Sequence, residues 1–121
     1  MSKIALKNLD AIAQAIYDKK GFNILALDIR GQSSMTDFYL IAEGNIDRHI
    51  KALSHTIQDI MSDTGEVLLH IDGEKTSNWL VMDYGEIVIH LFVSEQREKY
   101  ALEQLWRDAE IIDLHIDVKE K

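Results

Sequence analysis

The sequence predicts an α/β fold in which one mixed sheet of about five strands carries helices packed on it. Two stretches, 4–20 and 46–60, repeat apolar residues at spacings of three and four, as helices with one buried face do. Short apolar runs at 24–29, 38–42, 67–71, 79–82 and 87–93 are separated by glycine, asparagine and aspartate, as strands are. The two patterns alternate as α-β-β-α-β-β-β-α, an order that suits a mixed sheet better than a helical bundle or a sandwich.

In the first helix Ala5, Leu9, Ile12, Ala13 and Ile16 share one stripe, and Gly21 stands where a helix C-terminus favours glycine. Run 24–29 reads as a short buried strand, 31–36 is rich in turn residues, and run 38–42 ends at Gly44. Asn45 is the expected N-cap of the second helix, with Asp47 at its positive end and Ile46, Ile50, Leu53, Ile57 and Ile60 on its apolar face. That helix is expected to stop near Gly65. Asp72-Gly73-Glu74 and Tyr84-Gly85 then separate three strands, and the second gap is short enough for an antiparallel hairpin. Ser94 is expected to cap a final helix whose buried stripe is Leu102, Leu105, Trp106 and Ala109. The organisation expected is one domain over 1–112 and a polar C-terminal tail over 113–121.

The chain of 121 residues has a one-domain length and can bury roughly 65% of its unfolded surface, enough for a core without staples. It contains no cysteine, which excludes disulfides, thiolate metal sites and cysteine nucleophiles. The first residues carry no apolar signal run and no arginine-rich bias, and no stretch approaches the ~20 apolar residues of a membrane span. A cytoplasmic protein with no membrane partner is expected. With 21 acidic against 13 basic residues the formal charge is −8, which opposes nonspecific binding to phosphate backbones. If the protein works on a nucleoprotein, it should grip a basic protein rather than the nucleic acid.

Motifs for chemistry are sparse. His49 and His55 point about 120° apart on one helix, and there is no His-Glu-x-x-His spacing. His70 and His90 fall in apolar strands, where a hydrogen-bonded structural histidine is expected rather than a metal ligand. Ser33-Ser34 lacks the glycine-framed elbow of a serine nucleophile, and there is no phosphate-cradling Gly-x-x-x-x-Gly-Lys-Ser/Thr loop. The strongest catalytic alternative is metal-dependent nucleotidyl transfer by Asp72-x-Glu74, since closely spaced carboxylates hold divalent cations beside a triphosphate. The pair stands in a glycine loop with no third acidic partner, so a solvated acidic loop is preferred and no enzyme is expected.

Three blocks carry a resemblance. They are Asp37-Phe38-Tyr39-Leu40-Ile41-Ala42-Glu43-Gly44 followed by Arg48-His49, the run from Trp79-Leu80-Val81-Met82-Asp83-Tyr84-Gly85 through Phe92, and Arg97-Glu98-Lys99-Tyr100-Ala101-Leu102-Glu103-Gln104-Leu105-Trp106. Together they are similar to the Iojap, or ribosomal silencing factor, family from about Lys7 to Ala109. Asp72-Gly73 stands where that family usually has Glu-Gly.

The resemblance implies a nucleotidyltransferase-like α/β fold without the catalytic site, no metal and no cofactor. It implies binding to the fourteenth protein of the large ribosomal subunit, which blocks joining of the small subunit and represses translation. A homodimer when free is implied as well, and organelle relatives are linked to assembly of the large subunit.

Carried over from these blocks, the candidate partner-binding residues are Trp79, Asp83, Tyr84, Arg97, Tyr100 and Glu103. Strand alternation puts Trp79, Val81 and Asp83 on one face and Leu80, Met82 and Tyr84 on the other. An indole beside a carboxylate suits a hot spot for a basic partner. The competing view is that Trp79 covers the core and Asp83 opens the turn. On the last helix Tyr100 should project away from Leu102, on the side of Arg97, Gln104 and Arg107.

Overall fold

The computed structural model describes residues 2–74, 78–101, 104 and 106–118. Helix α1, Ser2–Asp18, buries the expected stripe of Ala5, Leu9, Ile12, Ala13 and Ile16. At its end the Gly21 N–H bonds to the Ile16 carbonyl (2.8 Å) and the Lys20 N–H to that of Tyr17 (3.0 Å), which closes the orphan carbonyls of the last turn. The left-handed residue is Lys20 (φ 72°), not Gly21. Gly21 is needed for a different reason, because a Cβ there would stand 2.3 Å from Ile16 Cγ2.

Strands β1 (Phe22–Asp28) and β2 (Phe38–Gly44) pair antiparallel, with an irregularity between Phe22 and Leu25 where Asn23 takes φ 51°. Helix α2, Asp47–Asp63, follows β2 and buries Ile50, Leu53, Ile57 and Met61. Asn45 does not cap it. The N-cap is Ile46, with no side-chain bond; His49 Nδ1 instead accepts the Asn45 N–H at 3.0 Å. His49 Nε2 then carries the proton and donates to the Lys19 carbonyl (2.7 Å), tying the end of α1 to the start of α2.

The expected run 67–71 shortens to β3, His70–Asp72, with Val67 and Leu69 exposed. Next come β4 (Trp79–Asp83) and β5 (Ile87–Val93), the predicted hairpin. Helix α3 spans only Ser94–Tyr100, because Ala101 turns left-handed (φ 45°) and its N–H returns to the Arg97 carbonyl. Ser94 is the first helical residue rather than the cap. Leu102 and Leu105 of the expected stripe lie outside the described residues; Trp106 and Ala109 do turn to the sheet. Strand β6, Glu110–Ile112, completes the sheet.

The sheet therefore has six strands rather than about five, in the order β3-β4-β5-β2-β1-β6, and β2 and β5 form a parallel pair at its centre. The extra strand opens a run in which the apolar positions Ile112, Leu114 and Ile116 alternate with Asp113 and His115, a period those polar residues obscure. For the same reason 113–118, expected as a polar tail, lies along α1. Leu114 and Ile116 pack on the core, the His115 N–H and ring bind Asp10, and Gln14 bonds both backbone groups of Asp117.

Helices α1 and α2 cover one face of the sheet, over Leu40, Ala42, Leu80, Met82, Ile89 and Leu91. Short α3 and the 106–109 turn lie over the other. Among the described residues no helix is long and apolar enough to cross a membrane.

Candidate interface

Alternation along β4 sorts its side chains as expected. Leu80, Met82 and Tyr84 are buried under the helices, while Trp79, Val81 and Asp83 face the other way and are half-buried. Cross-strand pairing sets Asp83 beside His70 and Val88, and Val81 beside Asp72 and His90. His70 and Asp72 are exposed. A strip of one indole, two valines and two carboxylates thus lies on the side of the sheet away from α1 and α2.

An aromatic layer supports this strip. Trp79 stacks on Phe92, its register partner, with centroids 5.0 Å apart and planes at 26°. Its indole N–H donates to His90 Nδ1 at 3.1 Å. His90 is 5% exposed, its ring is 4.7 Å from that of Tyr39, and burial lowers its pKa to about 4, so it is neutral at pH 7. Because Nδ1 accepts, Nε2 carries the hydrogen, and that buried group has no partner among the described residues. Trp106 meets Tyr39 edge-on at 5.7 Å, and its own buried indole nitrogen also has no partner among the described residues. The expectation of a hydrogen-bonded structural histidine holds for His90. His70 departs from it, standing exposed on the edge strand.

The six candidate residues are not one patch. Trp79 and Asp83 share the strip, although one Asp83 oxygen accepts the Gly85 N–H (2.8 Å) and so also shapes the hairpin turn. Tyr84 lies on the opposite face at 7% exposure, in the core, where burial raises its phenol pKa. It follows β4 directly, one residue out of phase for the strip.

Arg97 turns inward, bonding the Asn23 carbonyl and Glu43 (3.1 Å), with the two ionic side chains 12% and 8% exposed. Asn23 (3.1 Å) and the Ser94 hydroxyl (2.5 Å) also bind the Glu43 carboxylate, so Ser94 serves Glu43 rather than a helix end. This network floors a crevice of about 430 Å³ that Glu98 and Gln104 also line. Tyr100 is the last residue of α3, and Glu103 lies outside the described residues.

Sequence reasoning missed His90, Tyr39 and Glu43 as parts of this face. Glu43 had a signal, a carboxylate closing a strand of otherwise apolar residues, but nothing in its spacing pointed to Arg97.

The catalytic alternative gains no geometry. Asp72 and Glu74 are exposed, and an Asp72 oxygen accepts the Gly73 N–H (2.9 Å). Gly73 has φ 89°, and a Cβ there would stand 2.1 Å from the Trp79 carbonyl, so the loop is shaped by close packing on β4. Among the described residues no three His, Cys, Asp or Glu side chains group as metal ligands would.

The family model described as "Ribosomal silencing factor during starvation" matches residues 2–121, which includes the segment along α1. A Bacillus subtilis protein named ribosomal silencing factor RsfS is 37% identical over 88% of this chain and 90% of its own length. A protein of the same name from Halalkalibacterium halodurans is 32% identical over 88% and 91%. The mouse protein named "Mitochondrial assembly of ribosomal large subunit protein 1" is 28% identical over 82% of this chain and 45% of its own. A crystal structure from Chromobacterium violaceum superposes with a TM-score of 0.80 at 25% identity, covering 97% of this chain and 95% of that one.

Proposed function

The chain belongs to the ribosomal silencing factor family, and from that membership we propose that it docks on the large ribosomal subunit and sterically prevents the small subunit from joining. The partner in this reading is the subunit's fourteenth protein, and the protein acts as a binding factor in the cytoplasm, not as an enzyme.

The observation that carries the proposal is the strip on β4, where Trp79 shares with Asp72 and Asp83 a face that α1 and α2 leave open. An anchored indole on the same sheet face as two carboxylates suits a basic protein, and the charge of −8 favours such a partner over bare RNA. No turnover is required. A ligand that binds free large subunits but not joined ribosomes shifts the joining equilibrium according to its concentration over its Kd. Co-sedimentation with isolated subunits tests this: binding to large subunits is expected, and equal affinity for small subunits would refute it.

The name of the mouse relative favours a second reading, assembly of the large subunit, which uses the same docking with a different consequence. Deletion of the gene separates the two, because a maturation role leaves precursor particles and a silencing role leaves mature subunits that join too freely. A homodimer of the free protein belongs to the same proposal and is checked by sedimentation equilibrium.

A further inference from the structure

The docking strip depends on an indole that is only half-buried, and a half-buried tryptophan has several rotamers open to it unless something holds its plane. Among the described residues, a ring and a hydrogen-bond acceptor hold this one. Phe92 supports the ring face at 5.0 Å, and His90 Nδ1 takes the N–H at 3.1 Å. The first alone would let the indole slide or flip over the phenyl ring; the second fixes which edge points inward.

His90 can do this because its own ring is buried and packed. Its ring lies between those of Tyr39, 4.7 Å away, and Phe92, 6.1 Å away and nearly parallel at 13°. A ring flip would bring Cδ2–H to where Nδ1 stands, and the indole N–H would lose its acceptor.

A cost accompanies the arrangement. The Nε2–H is buried without a partner among the described residues, a defect that a phenyl ring of the same shape would remove. A residue that served only to fill this space would be better replaced by phenylalanine; what phenylalanine lacks is the Nδ1 lone pair.

We propose that His90 is a positioning residue, whose Nδ1 lone pair sets the plane of the Trp79 indole and thereby shapes the surface that meets the ribosomal partner. The inference rests on the docking role of Trp79 proposed above. It adds that the strip is built from inside the sheet, by a side chain that itself touches no partner.

The test compares three variants by two readouts. Asparagine places an amide oxygen near the site of Nδ1, glutamine places its amide near Nε2, and phenylalanine has neither. In folded protein, the Trp79 indole N–H resonance should stay near its place in His90→Asn and shift, with faster solvent exchange, in His90→Gln and His90→Phe. Large-subunit affinity should follow, falling about tenfold in the latter two and remaining within about twofold in the first, as expected when an anchor is displaced rather than removed. Should His90→Phe fail to fold, the asparagine and glutamine pair decides, since both are polar and only one restores the acceptor.

An unmoved indole resonance in His90→Gln and His90→Phe would overturn the inference, and so would a moved resonance with unchanged affinity. Trp79→Ala serves as the separate control on the docking role. If that variant binds normally, the proposed docking surface fails, whatever the His90 variants show about the indole.

Discussion

Acid should destabilise this protein well above the pH at which its carboxylates titrate, and His90 sets the window. Burial holds its folded pKa at about 4, against an ordinary 6.5 for the unfolded chain. A histidine with a depressed folded pKa stabilises the fold fully above pH 6.5, and that contribution is lost as the pH falls towards 4, because the unfolded state binds the proton first. Worked through the linkage relation, the loss is about 2 kcal/mol at pH 5 and about 3 kcal/mol at pH 4, a substantial share of the ~5–15 kcal/mol that typically holds a domain together.

His115 runs the other way. Its partner Asp10 raises its pKa, so its contribution is present below pH 6.5 and fades as the pH rises. It cannot account for a loss on acidification. Urea unfolding at pH 7 and pH 5, followed by circular dichroism, should show the loss in the native sequence, and His90→Phe should abolish most of it. Identical pH responses in the two proteins, or a His90 resonance titrating near 6.5 in the folded state, would refute the reasoning.

Other outcomes follow from the same geometry. Trp79→Ala should weaken large-subunit binding by at least tenfold while keeping a cooperative unfolding transition, measured by co-sedimentation and thermal melts. Arg97→Ala should cost about 3–5 kcal/mol because it strands the nearly buried Glu43 carboxylate, whereas the double change Glu43→Leu, Arg97→Met should recover most of that. Equal destabilisation by the single and double changes would refute the pairing. Gly73→Ala should lower the melting temperature by several degrees, since both its φ of 89° and the Trp79 carbonyl oppose a Cβ; an unchanged melt would show that the loop yields freely.

The strong periodicities were legible in the sequence. α1, α2 and β5 stand where their spacings put them, and the alternation of β4 correctly separated Trp79 and Asp83 from Leu80 and Met82. Failures came where a local rule was overridden by a distant contact. Asn45 and Ser94 are good caps by type, yet one gives its backbone N–H to His49 and the other gives its hydroxyl to Glu43. Helix α3 stops before Ala101, a good helix former held left-handed, and no propensity scale signals that.

At the candidate interface, the resemblance supplied six residues without distinguishing exposed from buried ones. Tyr84 differs from Asp83 by one step along a strand, and that step moves it from the strip into the core. Arg97 looked like a surface cation because its counterion lies 54 positions earlier in the chain. His90 could not be singled out, since its importance lies in which nitrogen carries a proton, a property of the assembled rings.

The pairing of β6 with β1, and the run of 113–118 along α1, also bear on what a shortened chain would do. The run after β6 covers α1, and β6 masks what would otherwise be the naked hydrogen-bonding rim of β1. A chain cut on the C-terminal side, before residue 110, therefore exposes both to its neighbours. Truncation from that end should accordingly yield aggregation during expression rather than a smaller working domain.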